Sequence, residues 1–342
     1  MNPTDIKNRT LLSEFLGVSY ATLRKYLTQP PVIIDHTIPL TPKGRLLFAR
    51  AWLIRFSIRK RNTQLGHRIV YQAKQASLGY AHKAIYAQLL ESYKPTATAH
   101  GFVKGRGIAS NASQHLGKKT ILACDIKDFF ESITVDQVER VFIDCGFLPG
   151  ASADLAKLCT LDGHLVQGYV TSPMIANMVA TQIDADLSAL ASATDTDYTR
   201  YADDMTFSSN ATIPDIEQVR EIVERHGFEL NNHKTRLMFR GEKQYVTGLT
   251  VFDATLARAP RRFKQRIRLL LYYMGKYGKI SFQLKKMGYN REDYETNLET
   301  QSKVDFEIVG EDKRLKGWID FINSVEPNRA AVYYKQYNSL KE

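Results

Sequence analysis

Acidic residues are missing from long parts of this chain. Between His36 and Leu90 there are ten lysines and arginines and no aspartate or glutamate, and between Asp253 and Arg291 eleven basic residues meet a single acid. Residues 91–252, by contrast, sum to about −6. Two basic arms around an acidic centre, within a net charge of +11, point to a polyanionic partner whose phosphates the arms hold while the centre holds metal cations. Long apolar runs are missing too. Nothing approaches the ~18 residues of a membrane span, and "MNPTDIKNRT" lacks the charged-then-apolar order of a signal peptide, so no membrane partner and a cytoplasmic location are expected. Cysteine is scarce: Cys124, Cys145 and Cys159 have neither CxxC spacing nor histidines at zinc-ligand spacing, which leaves reduced core residues. Internal repeats and low-complexity linkers are absent.

What is present is an ordinary globular composition, 342 residues at 44% apolar, enough for two or three structural units. Changes of pattern divide it into 1–50, 51–252 and 253–342. In the first, Leu11 to Leu27 has helical apolar spacing broken at Gly17-Val18-Ser19, a helix-turn-helix pattern read as a packing or RNA-contacting extension rather than a DNA reader. Phe56 to Val70 reads as a basic β-hairpin, and helical spacing follows from Ala81 to Tyr93. An apolar strand from Thr120 to Ile126 ends in acids. A helix is predicted from Thr134 as N-cap to Cys145, stopped by Gly146, and another from Ser172-Pro173. "DYTRYADDMTFSS" reads as strand, tight turn, strand; Asp215 caps a helix ending at Gly227; "KTRLMFR" and "QYVTGLTVF" add one strand each. After Pro260 the pattern is helical and basic. The order predicts an α+β fold, an antiparallel sheet packed on helices with acids at strand ends.

Asp203 and Asp204 stand side by side between two apolar runs. Two such charges at about 4 Å repel by roughly 4 kcal/mol at an effective dielectric near 20, so the pair is either splayed into solvent at a hairpin tip or neutralised by a cation. Asp125 closes a strand 78 residues before Asp203. If the two strands are neighbours, the carboxylates converge into an oxygen-rich site suited to Mg²⁺, and two ions there would serve phosphoryl transfer.

Several stretches, in order, resemble reverse transcriptases. "DIKDFF" is similar to their first palm motif, with Asp125 as metal ligand, Ile126 giving a backbone carbonyl and Phe130 at the aromatic position. "QGYVTSP", with Gln167 and Gly168, followed by Asn177, looks like the motif supporting nucleotide and template. "YADD" matches the motif carrying the other two acids. "HGFELNNHKTRLM" looks like the motif whose lysine, here Lys234, sits near the pyrophosphate. The basic hairpin resembles the fingers, with Lys60 and Arg68 at the phosphate-contacting positions, although the usual Ile-Pro-Lys reads Ile58-Arg59-Lys60. "NASQH" (Asn111 to His115) and "VTG" (Val246 to Gly248) match elements of retron reverse transcriptases, and "GFVKGRGIASNA", with Arg106, also looks like their sequence.

The resemblance implies a right-hand polymerase: fingers and palm over 51–252 and a basic helical thumb over 253–342. It implies catalytic Asp125, Asp203 and Asp204 with two Mg²⁺, and nucleotide contacts from Lys60, Arg68, Phe130, Gln167, Gly168 and Lys234. RNA contacts fall to Arg106, Asn111, His115, Arg258, Arg261, Arg262 and Arg266, with His115 equally suited to a structural hydrogen bond. Phe130 would press on C2′ of the sugar, or be a core aromatic. Substrates would be deoxynucleoside triphosphates and a cognate structured non-coding RNA, copied from a 2′-hydroxyl primer into branched RNA-linked DNA, in anti-phage defence with an effector or toxin protein. No length remains for a ribonuclease H domain. A group II intron-like or diversity-generating enzyme is opposed by "NASQH" and "VTG" and by the lack of a maturase or endonuclease extension. An RNA-binding protein on a dead polymerase scaffold is opposed by the three intact aspartates, and a transcription regulator by the small share of chain in Leu11–Leu27.

Overall fold

Capping chemistry sets the helix ends where the sequence predicts them. Thr134 and Gln137 close a reciprocal capping box at the start of the helix Val135–Asp144, and Gly146, at φ 91°, takes the left-handed position after it. Asp215 and Gln218 do the same for the helix Ile216–Arg225, and Pro173 opens the helix Ser172–Val179. The computed structural model describes residues 1–36, 52–59 and 67–340, without the side chains of 57–59 and 67–68.

The chain divides into two compact units, one of Met1–Gly107 with Leu122–Leu237 and one of Ile108–Ile121 with Met238–Glu342. These divisions differ from the expected ones at 50 and 252.

In the first unit, β1 (Ile33–Asp35) runs parallel to β2 (Leu53–Arg59), which pairs antiparallel with β3 (His67–Ala73) through Arg59 opposite His67. This is the expected basic hairpin. Further along come β4 (Thr120–Asp125), the small pair β5 (Thr160–Leu161) and β6 (His164–Leu165), then β7 (Asp197–Tyr201), β8 (Asp204–Ser209) and β9 (Arg236–Phe239). Four of these form a sheet in the order β7-β8-β4-β9, so the strand ending in Asp125 lies beside the strand beginning with Asp204. One apolar core runs through the unit. The N-terminal helices Arg9–Phe15 and Tyr20–Thr28 belong to it: Ile6, Leu12, Leu16 and Leu23 are buried with Val138, Leu155 and Phe207, and Arg9 pairs with the buried Asp154 at 2.6 Å. The helix-turn-helix pattern is thus spent on packing.

The second unit is mostly helical, built on Arg261–Tyr277, Leu298–Asn323 and Pro327–Asn338, with Ile267, Leu271, Leu315, Ile319 and Tyr333 in one cluster. A smaller cluster joins Ala112, Ile121, Val246, Leu249 and Val325. Here "QYVTGLTVF" departs from the single strand expected. It folds back as β10 (Tyr245–Val246) and β11 (Leu249–Thr250) around Thr247 and Gly248, at φ 45° and 81°. Two consecutive left-handed residues are what a two-residue type I′ hairpin turn requires, and Thr247 Oγ1 donates to Ile108 O at 3.2 Å to hold it. No helix among the described residues is long and apolar enough to cross a membrane.

Candidate active site

The turn between β7 and β8 has two residues, Ala202 and Asp203, with Tyr201 opposite Asp204. Ala202 sits at φ 57°, a left-handed conformation that costs a non-glycine residue about 1–2 kcal/mol. The Asp203 carbonyl accepts from Ile126 N at 2.9 Å, which ties the turn to the end of β4. Asp125, Asp203 and Asp204 therefore meet, as the sequence predicts.

Their electrostatics are unbalanced. Asp125 is 3% exposed, and burial, then the Asp203 charge, raises its pKa against the opposing hydrogen bond from Lys234 Nζ at 2.6 Å. Asp204 is pushed up to about 7 by desolvation and by the carboxylates of Asp203 and Asp125. Its side chain opens to solvent, so its like-charged neighbours carry that direction. Burial draws the Lys234 pKa down, but the bond to Asp125 and the other carboxylates outweigh it and leave it raised. Among the described side chains, three acids thus share one ammonium.

This donor set suits a hard divalent cation, which takes one or two protein carboxylates and completes its shell with water and phosphate oxygens. Among the described residues no group of three or more His, Cys, Asp or Glu side chains is arranged to hold a metal ion by itself. An open half-shell, with Lys234 resting on one of its carboxylates, fits a cation that arrives with a phosphate-bearing substrate.

The acids line a cavity of about 1010 Å³ together with Phe130, Gln167, Gly168 and Tyr71. Gly168 has φ 111°, and a Cβ there would strike Tyr71 O and the Val70 side chain, so only glycine permits β3 to approach this loop. Tyr71 N donates to Gln167 O at 2.9 Å and completes the contact. Phe130 is half-buried, with its ring 5.7 Å from Phe129 and 6.2 Å from Phe102.

The other expected site residues fare differently from one another. Lys60 is outside the described residues, and of Arg68 only the backbone is described, opposite Ile58. Arg106 is half-buried and braces a loop, its Nη1 donating to the carbonyls of Thr96, Ala97 and Ala99 at 2.6, 3.1 and 2.6 Å. Asn111 and His115 are corrections, both being 0% exposed within the second unit. Arg258 is forked onto Asp253 at 2.9 and 2.7 Å, and Arg266 lies over the Trp318 ring at 4.8 Å. Arg261 and Arg262 are exposed on the first turn of their helix.

Sequence reasoning missed Phe102 and Tyr71 in the cavity wall. It also missed Arg200, buried behind the turn, whose signal was a lone cation in the apolar face of "DYTRY".

The sequence model of the family described as reverse transcriptase (RNA-dependent DNA polymerase) matches residues 81–264. Retron Mx65 reverse transcriptase of Myxococcus xanthus is 34% identical over 280 residues, which cover 75% of this chain and 60% of that protein. Retron Mx162 reverse transcriptase of the same organism is 29% identical, over 99% of this chain and 68% of its own length. Retron Ec86 reverse transcriptase of Escherichia coli is 27% identical over 66% of this chain and 71% of its own. The chain thus spans between 60% and 71% of the length of these three relatives.

Proposed function

Since the chain belongs to the reverse transcriptase family and its relatives include retron enzymes, we propose that it is the RNA-directed DNA polymerase of a retron. It copies part of a cognate structured non-coding RNA into single-stranded DNA. The observation that carries this reading is the convergence of Asp125 with Asp203 and Asp204 on a cavity walled by Phe130 and the Gln167-Gly168 loop.

Asp125, Asp203, Asp204 and the Ile126 carbonyl would hold two Mg²⁺ ions, which when bound neutralise the triphosphate and favour ionisation of the primer 3′-hydroxyl. The remaining work falls to the chain. Lys234, protonated and already within reach of Asp125, can pass a proton to the departing pyrophosphate. Gln167 and Gly168 bring backbone up to the base pair, Phe130 closes the space a 2′-hydroxyl would fill, and Lys60 and Arg68 grip phosphates. Arg261 and Arg262, with the basic helix they open, serve as the RNA-holding face of a thumb.

"NASQH", "VTG" and the retron names of the relatives support the finer reading: priming from a 2′-hydroxyl in the same RNA, a branched RNA–DNA product, and anti-phage defence with an effector protein. The test is to incubate the purified protein with RNA transcribed from its upstream flank and deoxynucleotides, with no added primer. Labelled DNA that stays joined to RNA and is freed by a debranching enzyme is the expected result. DNA made only when an oligonucleotide is supplied removes the retron part, and no DNA under either condition removes the polymerase.

A further inference from the structure

Arg200 is the largest fully buried side chain among the described residues, and its guanidinium lies three positions before Asp203. Burying that charge is costly unless each N–H finds a partner, and apolar residues of similar size usually hold a core as well. Here four of the five N–H groups have one. Nε and Nη2 donate to the two oxygens of Asp184 at 2.7 and 2.8 Å, a bidentate fork. Nη1 donates to Asn177 Oδ1 at 3.1 Å and to Ala202 O at 3.0 Å. Asp184 also accepts from Tyr198 Oη at 3.0 Å and Thr96 Oγ1 at 3.1 Å, while Asn177 Nδ2 donates to Gly101 O at 2.8 Å.

The consequence is felt at the catalytic turn. Its two carbonyls are both fixed, Ala202 O by Arg200 and Asp203 O by Ile126 N. The left-handed Ala202 is further confined because a Cβ on Gly101 would lie 2.5 Å from Ala202 N; the loop fits against the turn only without one. Asn177, on the helix that begins at the Gln167–Pro173 motif, is bonded to the same guanidinium. One charge therefore joins the loop beneath the nucleotide to the turn carrying two of the acids. No simple requirement of core packing explains a cation at this point.

We propose that Arg200, positioned by Asp184 and Asn177, is a positioning residue that holds Asp203 and Asp204 converged against their own repulsion, so that divalent cations meet a preformed site. This rests on the polymerase reading above. Without the grip on Ala202 O the turn relaxes, the aspartates part, and more cation is needed to draw them together. Partners that orient metal ligands are typically worth about 10–100-fold in metal affinity or activity.

The test compares wild type with Arg200→Lys, which keeps the charge but cannot span Asp184 and Ala202 O as the planar fork does. The probe is Mn²⁺ alone, its free concentration read by electron paramagnetic resonance, with Asp203→Asn as the control that lacks the site. Expected for Arg200→Lys are about 10-fold weaker Mn²⁺ binding, a matching rise in the Mg²⁺ needed for half-maximal DNA synthesis, and a nucleotide KM within about twofold at saturating Mg²⁺. The pair Arg200→Met with Asp184→Leu removes both buried charges together, so a folded protein is obtained even if the lysine variant fails to fold; it too should bind Mn²⁺ weakly. Folded variants of either kind that bind Mn²⁺ and require Mg²⁺ as wild type does would overturn the proposal. Wild type that neither binds Mn²⁺ nor makes DNA would instead overturn the polymerase reading.

Discussion

The three aspartates of the first unit's site and the buried glutamates of the second unit are served in opposite ways. In the second, Glu326 is 5% exposed and accepts from Lys264 at 2.8 and 3.1 Å and from Ala259 N at 3.0 Å, with Arg329 at 3.6 Å and Arg258 at 3.9 Å. Glu311, 3% exposed, has Lys286 at 2.5 Å and Arg314 at 3.0 Å. Each acid there has more cations than it needs. In the first unit the three site aspartates have one lysine among the described side chains, and the Asp204 pKa is raised to about 7. A surplus of cations marks an acid that holds the fold together; a deficit marks one that awaits a cation from outside.

The largest effect that could break this contrast is at Asp203. Asp203→Asn, like Asp125→Asn, is expected to lower extension of a primed RNA template in Mg²⁺ by at least about 10³-fold with the melting temperature preserved. Near-normal extension would remove the cation-deficient acids from catalysis. Next is Glu326→Gln, which should do the reverse. It strands several cations and should destabilise the fold by about 2–3 kcal/mol, discounted because Arg258 and Arg329 are half exposed, as read by denaturant unfolding. The pH arm of the comparison comes third.

A carboxyl whose pKa is raised in the folded state binds more protons folded than unfolded, so the stability it lends is full below about pH 4 and is lost as pH rises through about 7. Metal-free wild type should therefore lose melting temperature across that window, Asp204→Asn should lose less, and Mg²⁺ should restore wild type alone at pH 8. Parallel curves for the two proteins would place Asp204 with the satisfied acids. Smallest is Phe130→Ala, which should cut the deoxy-to-ribonucleotide ratio of kcat/KM by about 10-fold and leave extension with deoxynucleotides nearly intact. An unchanged ratio would make Phe130 a packing residue.

What could be read from the sequence follows the same division. Acids between apolar runs are costly, so Asp125, Asp203 and Asp204 stood out, and capping residues such as Thr134 and Asp215 act over three positions and were legible for that reason. The loop contacts of Arg106 were not legible, because a cation in a glycine-rich loop gives no sign of the three carbonyls that the tertiary fold brings beneath it. The "VTG" segment was misread because valine and leucine flank the turn and Thr247 is an unusual left-handed residue. Asp184 and Arg200 are sixteen residues apart on a helix and a strand, and nothing local announces that they pair.

The brevity of the β7–β8 turn has a bearing on which changes the gene can tolerate. With Tyr201 opposite Asp204 and only two residues between them, a codon inserted into the turn leaves no slack to absorb it and carries one aspartate off the end of its strand. One inserted later, within Met205–Ser209, a stretch buried on both faces, turns each following side chain to the other face of the sheet and breaks the packing on both sides at once. Insertions and deletions are excluded here, so spacing acts as a ruler laid along the reading frame.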